Sequence, residues 1–178
     1  MTKLRYATTS HALAIAEMLN DDLASGMATS EHILHSLEQN SYLIIEDGSE
    51  LIGFIQQESV RDYTLFRFYP SIKGKIPVQN KYNFISNFYV KPDSRNKGYG
   101  SRLLSAALSC GSGLYSVANS LHRPEGWKAE TLFNSFGFVD MGELEGYYSD
   151  PCDSGIHQCK SRCEYCRCRS FVYVREPK

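Results

Sequence analysis

The chain has 178 residues, of which 42% are hydrophobic and 22% are charged, proportions typical of a globular fold. Its formal net charge is −1, which excludes an overall field that attracts nucleic acid or an anionic membrane. No apolar run approaches the roughly 20 residues of a transmembrane helix, and the first residues lack the apolar segment of a signal peptide. We therefore expect a single domain over residues 1–178, located in the cytoplasm and without membrane contact.

The beginning of the chain predicts a strand, two helices and a hairpin. Residues 4–7 read as a short strand, and Ser10 and Ser30 are candidate N-caps for helices with apolar side chains at helical spacing. Asp47 and Gly48 separate two strand-like runs, which predicts a hairpin turn between them.

Residues 61–83 break this regularity, because Pro70, Gly74 and Pro77 interrupt any helix or strand pattern. We expect a long loop or an inserted excursion there. After it the pattern predicts a strand, a helix, a strand, a helix and two strands, over residues 84–90, 100–110, 114–118, 126–136, 139–144 and 170–174.

Hairpins mixed with crossover helices indicate the fold class α/β (α+β), a mixed and mostly antiparallel sheet flanked by helices on both faces. A cysteine-rich elaboration over about residues 149–169 is expected as an insertion before the last strand. It contains Cys152, Cys159, Cys163, Cys166 and Cys168.

The spacing of these cysteines is only partly that of a zinc site. Cys163 and Cys166 are separated by two residues, and Cys159 and Cys163 by three, which is within the range of zinc ligand pairs. A second, well-separated pair is missing. Structural zinc, reduced thiols and disulfides therefore stay open, and the metal ligands are unknown.

The segment after the strand of residues 84–90 predicts an anion site. A loop leads there into a helix N-terminus, where free backbone N–H groups and the helix dipole favour negative charge. Gly98 and Gly100 allow the main chain to approach a phosphate closely, and Arg95, Lys97 and Arg102 add positive charge. An ordinary strand-to-helix turn with a solvated basic edge is the alternative.

This stretch resembles the signature of the GNAT superfamily, the acetyl-CoA-dependent N-acetyltransferases. Its core motif and the strand end before it are matched by Val90, Pro92, Arg95, Gly98 and Gly100. A second motif, a helix ending in Leu-Tyr-x-x-x-Gly-Phe, is matched by residues 132–138 with Phe133 in place of tyrosine. The predicted element order is also that of the superfamily, so the implied fold is GNAT-like.

The resemblance implies an enzyme that moves an acetyl group from acetyl-CoA to a primary amine of a small molecule or protein, by direct transfer in a ternary complex. Main-chain groups of Phe88 and Val90 would bind the pantetheine arm, and Phe133 would pack near the thioester. The pyrophosphate would be wrapped by Arg95, Asn96, Lys97, Gly98, Tyr99, Gly100 and Ser101. We expect a monomer or a homodimer, with no nucleic-acid partner.

Phe133 is a departure from the family, because phenylalanine cannot protonate the leaving thiolate. Tyr147 and Tyr148 are the candidate catalytic residues, with packing at a strand end as their alternative role. The candidates for the general base are Glu58, Glu143, Glu145 and His122. The alternative for the three glutamates is a solvated position on a strand, and the alternative for His122 is a position in a surface loop. A chain of water molecules is a further candidate.

Residues 61–83 carry five cationic side chains against the single carboxylate of Asp62, together with several aromatic side chains. This composition suits an acceptor with a carboxylate or phosphate, or a nucleic-acid backbone. The alternative is a solvated loop whose aromatic side chains fix it to the core. Two other functions also stay open, a non-catalytic acyl-CoA-binding or regulatory module and a zinc-dependent interaction domain.

Overall fold

The computed structural model describes residues 1–22, 24–25, 28–38, 42–122, 129–145, 147, 158–159 and 168–178. Among them are nine strands, β1 to β9, which are Thr2–Tyr6, Ala24–Ser25, Tyr42–Asp47, Glu50–Val60, Tyr82–Val90, Ser116–His122, Val139–Leu144, Gln158–Cys159 and Arg169–Arg175. The same part of the chain has five α-helices, α1 to α5, which are Ala12–Asp22, Ser30–Leu37, Asp62–Phe68, Tyr99–Cys110 and Ala129–Ser135.

Seven of these strands form one sheet in the order β1-β3-β4-β5-β6-β9-β7. Neighbouring strands are antiparallel except for β5 and β6, which are parallel and joined through α4. The predicted mixed, mostly antiparallel sheet is therefore confirmed. The two-residue strand β8 comes from the cysteine-rich segment and pairs with β2, in the connection between α1 and α2.

Helices cover both faces of the sheet, as predicted. On one face α1 and α2 pack against Tyr42, Ile44 and Phe54, and α3 packs farther along the same face. On the other face α4 and α5 pack against β3, β4, β5, β6 and β9. Among the described residues, no helix is long and apolar enough to cross a membrane.

The structure corrects the boundaries of some predicted elements. Thr29, not Ser30, caps α2, because its side chain accepts a hydrogen bond from the His32 N–H at 3.2 Å. Before α1, Thr8 precedes a short 3-10 turn that contains Ser10. Strand β6 runs to His122, four residues beyond the predicted end, because its whole length pairs with β9.

The excursion of residues 61–83 is not an irregular loop throughout, as it contains α3 and a 3-10 turn. Leu65, Tyr69 and Ile72 from this segment are buried against the sheet. The Tyr69 ring lies 5.4 Å from that of Phe84, measured between ring centroids. The aromatic side chains thus fix the excursion to the core, while Phe68 stays exposed.

Candidate functional site

A cleft opens between β5 and β6 where these parallel strands diverge. Their last paired residues are Ile85 and Ala118. Beyond that point residues 87–90 of β5 pair with β4 alone, and residues 119–122 of β6 pair with β9 alone, among the described strands. Two strand edges therefore face each other without a hydrogen-bonded ladder between them, and such edges can bind an extended polar chain.

A bulge in β5 lies at the point of divergence. The β4–β5 register shifts after Gln56, which pairs with Asn87, so that Ser86 is an extra residue on β5. Ser86 Oγ donates a hydrogen bond to Glu58 Oε1 at 3.2 Å, and Gln56 Nε2 donates to the same oxygen at 2.8 Å. Asn87 Nδ2 donates to Gln56 Oε1 at 2.6 Å. The bulge thus holds a half-buried carboxylate beside the cleft.

The sequence alone contained no signal for this arrangement. Glu58 was expected to be a solvated residue of β4, but its side chain is half-buried and accepts two hydrogen bonds. A bulge depends on the register between two strands, which alternation along one strand does not reveal.

The main-chain groups of Phe88 and Val90 face the cleft. The Lys91 N–H donates to the Ile52 carbonyl on β4 at 3.0 Å. Alternate residues of an antiparallel strand direct their backbone groups to opposite sides, so those of Val90 and Phe88 point away from β4. The Val90 carbonyl accepts a hydrogen bond from Arg95 Nε at 2.9 Å.

The loop between β5 and α4 turns through two residues with positive φ. Asn96 has a φ of 61° and is the one non-glycine residue with positive φ among those described, while Gly98 has a φ of 80°. Both conformations suit their residue types, since asparagine and glycine tolerate the left-handed region best. Arg95, Asn96, Lys97 and Gly98 are all exposed, so the loop is accessible to a ligand.

Helix α4 begins with backbone donors that have no acceptor inside the helix. Its first hydrogen bond runs from the Arg102 N–H to the Gly98 carbonyl at 3.1 Å. The N–H groups of Tyr99, Gly100 and Ser101 therefore precede the helical hydrogen-bond pattern, where the helix dipole favours an anion. Lys97 and Arg102 are exposed beside them.

Gly100 allows this helix start to pack closely against the cleft. A Cβ atom built on it would lie 3.3 Å from Phe88 Cζ and 3.4 Å from Leu132 Cδ2. A larger residue would require the Phe88 or Leu132 side chain to shift. The second glycine of the motif thus has a packing reason in this fold.

Phe133 of α5 is buried over β6, beside the cleft. Its ring centroid lies 6.5 Å from that of Phe88 on β5 and 5.4 Å from that of Tyr173 on β9. Because β6 lies between β5 and β9, a ring in contact with both neighbours covers β6.

His122 is the last residue of β6 rather than a loop residue. Its ring lies 4.2 Å from that of Phe171, and its Nε2 is 3.4 Å from the Tyr173 hydroxyl. Burial lowers the pKa of His122 below its usual 6.5, and burial raises the pKa of Tyr173 to about 12. Both side chains are therefore neutral near pH 7.

The structure places one of the two predicted catalytic tyrosines, Tyr147, at the far edge of the sheet. It follows β7, is 42% exposed, and is separated from β5 by β9 and β6. Tyr148 lies outside the described residues. A catalytic role for either tyrosine stays a prediction.

The other candidate bases lie near the same edge. Glu143 of β7 accepts a hydrogen bond from Arg169, which lowers its pKa, and Glu145 is exposed just after the strand.

Most of the predicted cysteine cluster falls outside the described residues, including Cys152, Cys163 and Cys166. Within the described part of the chain, no three side chains of the types that bind metals come together. The possible zinc site therefore stays a prediction.

A wide groove of about 1280 Å³ lies on the α1 side of the same loop. Its walls include His11, Glu46, Tyr89 and Lys97. The start of α4 is not part of its lining, so this groove is distinct from the cleft between β5 and β6.

Sequence comparison identifies the family. The profile of the acetyltransferase (GNAT) domain matches residues 38–140, which include β3 to β6, the loop and α4. The chain belongs to the GNAT acetyltransferase family. The recognition made from the two motifs is confirmed, and so, at the level of the family, is the class of GNAT-type N-acetyltransferase.

Individual proteins are similar to the chain in sequence or in fold. The chain is 33% identical over 112 residues to the uncharacterized N-acetyltransferase YhfO of Bacillus subtilis (strain 168), covering 58% of this chain and 66% of YhfO, just under two thirds of its length. Its fold is similar to that of Chaetomium thermophilum Naa20, solved in complex with a bisubstrate analogue. The TM-score is 0.72 at 15% identity, and the match covers 98% of this chain and 86% of Naa20. The fold is also similar to that of Salmonella typhimurium yncA, solved with its cofactor acetyl-CoA. The TM-score is 0.67 at 16% identity, and the match covers 99% of this chain and 94% of yncA.

Proposed function

We propose that this protein transfers an acetyl group from acetyl-CoA to a primary amine of a small molecule or protein, directly, in a ternary complex. The observation that carries the proposal is the cleft between β5 and β6, which leads from the carboxylate of Glu58 to the glycine loop at the start of α4. Such a cleft provides a polar strand edge for an extended ligand, hydrogen-bond donors for the phosphates of that ligand, and a carboxylate to accept a proton from the amine.

Acetyl-CoA fits this cleft as an extended ligand. The main-chain groups of Phe88 and Val90 point toward its interior and would bind the amide-rich pantetheine arm. The pyrophosphate would lie at residues 95–101, where backbone donors and exposed cations are concentrated. Phe133 would pack beside the acetyl group.

Glu58 is the group that would take the proton of the attacking amine. Its carboxylate lies on the α1–α3 face of the sheet, beside the bulge at which β5 leaves β6. The amine nitrogen would attack the carbonyl carbon of the thioester, with Glu58 accepting its proton directly or through water. The excursion with α3 directly follows this strand and would border the acceptor.

The leaving group needs little assistance. A coenzyme A thiol has a pKa near that of free cysteine, roughly 8.5, so its thiolate can depart without a strong acid. The absence of a hydroxyl at Phe133 is therefore compatible with turnover. It is also the best support for the alternative function, a non-catalytic acyl-CoA-binding module.

The two functions are separated by thiol release from acetyl-CoA in the presence of a panel of amines and peptides. An acetyltransferase releases free thiol only with its acceptor present. If acetyl-CoA raises the melting temperature but no acceptor gives turnover, the non-catalytic module is favoured. If acetyl-CoA does not stabilise the protein at all, the proposal is wrong.

A further inference from the structure

Ser120 of β6 is a buried hydroxyl without a hydrogen-bond partner among the described residues. Its exposed fraction is 1%, and its Oγ has no donor or acceptor within reach in that part of the chain. A buried polar group left unpaired destabilises a fold by about 1–3 kcal/mol, so such groups are uncommon and each one calls for a physical explanation.

The position of Ser120 is next to the proposed acetyl site. It lies two residues beyond Ala118, where β6 leaves β5. Ser120 pairs with Phe171 of β9, and paired residues share a face, so its side chain lies on the side covered by α5. Phe133 covers β6 on this same face.

The neighbouring polar groups on this face are already engaged. His122 and the Tyr173 hydroxyl contact each other, and they flank the Ser120–Phe171 pair from its two sides along the strands. Two other buried polar atoms lack a partner among the described residues, one in Gln57 and one in Ser71. Gln57 is on β4 and Ser71 is in the 3-10 turn after α3, so neither lies on β6. Ser120 is therefore the unpaired buried hydroxyl on the α5 side of β6, the strand that borders the cleft.

We propose that the Ser120 hydroxyl binds the sulfur of acetyl-CoA and stabilises the departing thiolate, in place of the missing tyrosine hydroxyl at Phe133. This assignment rests on the proposed function. The amine nitrogen forms a bond to the carbonyl carbon, the carbon–sulfur bond breaks, and its electron pair stays on sulfur. The amine proton goes to Glu58, and Ser120 donates a hydrogen bond without losing its proton.

The first test is the ionisation of coenzyme A bound to the protein, which needs no acceptor. Thiolate absorbs in the ultraviolet, so a pH titration of the complex gives the pKa of the bound thiol. We expect a lower thiol pKa in the wild type than in Ser120→Ala, because a hydrogen bond to the thiolate favours the ionised form. Equal pKa values in the two proteins would overturn the assignment.

The second test is steady-state kinetics of the same variant. Loss of one hydrogen bond to a charged group should lower kcat by roughly 10- to 100-fold, with KM for acetyl-CoA nearly unchanged. The melting temperature should not fall, because Ser120→Ala removes no hydrogen bond among the described residues. An unchanged kcat would contradict the inference while leaving the proposed function intact.

Ser116 provides the matched control. It is a buried serine of the same strand, with 1% exposure, but its Oγ accepts a hydrogen bond from Asn83 Nδ2 at 3.2 Å. Ser116→Ala should therefore lower the melting temperature and leave kcat and the thiol pKa unchanged. The opposite pattern in the two variants distinguishes a hydroxyl that acts on the ligand from one that supports the fold.

Discussion

Glu58 illustrates how the neighbours of a residue make it a candidate for a catalytic role. In the sequence it is one carboxylate among several, and nothing in its own strand distinguishes it from Glu143 or Glu145. The bulge at Ser86 changes this, because it brings a hydroxyl from β5 onto the Glu58 carboxylate at the mouth of the cleft. The base candidate is therefore a product of strand register and not of a motif.

Glu58→Gln should lower kcat by about 100-fold or more, the usual contribution of a general base. The amide oxygen can still accept the hydrogen bonds from Gln56 and Ser86, so the fold should be retained. The deficit should shrink as the pH rises toward the pKa of the acceptor amine, about 10.4 for a lysine-like group. Rates measured across this pH range check both expectations.

Glu143→Gln is the control for this experiment. Glu143 lies on the edge strand β7 and accepts its hydrogen bond from Arg169, away from the cleft. Its replacement should leave the pH–rate profile unchanged. A loss of activity in Glu143→Gln but not in Glu58→Gln would place the base at the other end of the sheet.

At the scale of elements, the strand–loop–helix unit of β5, residues 91–98 and α4 was predictable, because glycines and a helix start leave a pattern in the sequence. The short helix α3 was not, since Pro70, Gly74 and Pro77 obscure it and it depends on packing of Leu65 against the sheet. The extra length of β6 comes from its pairing with β9, a contact distant in sequence.

Two glycines allow a matched test of the loop. Gly98 and Gly113 both have φ near 80°, and a Cβ on either would have no neighbour within 4 Å. Alanine at either site should lower the free energy of unfolding by about 1–2 kcal/mol, the strain of a left-handed residue. Only Gly98→Ala should weaken acetyl-CoA binding. We expect its Kd to rise by roughly tenfold, which corresponds to about 1.4 kcal/mol of binding free energy.

Isothermal titration calorimetry of the two variants checks this prediction. Equal affinity of Gly98→Ala and Gly113→Ala for acetyl-CoA would show that the loop does not contact the ligand. Gly100→Glu is a less selective variant, because a side chain at Gly100 would also press on Phe88 and Leu132.

At the scale of the whole molecule, the fold divides the proposed reaction between the two faces of one sheet. Glu58 and the bulge lie on the face of α1, α2 and α3, while Phe133 and Ser120 lie on the face of α4 and α5. The cleft between β5 and β6 connects the two faces, so an amine and a thioester can approach each other from opposite sides. The motifs identified the family and predicted the loop that we propose as the ligand site, whereas the face of each polar side chain required the strand pairing.

The most direct test of this account is to map where acetyl-CoA binds, by following backbone amide resonances in NMR spectra during a titration. We predict that the largest shift changes occur at residues 95–101 and at Phe88 and Val90, with further changes at Ser120. Changes confined to the groove around His11 and Glu46, or no saturable changes at all, would contradict the proposed site.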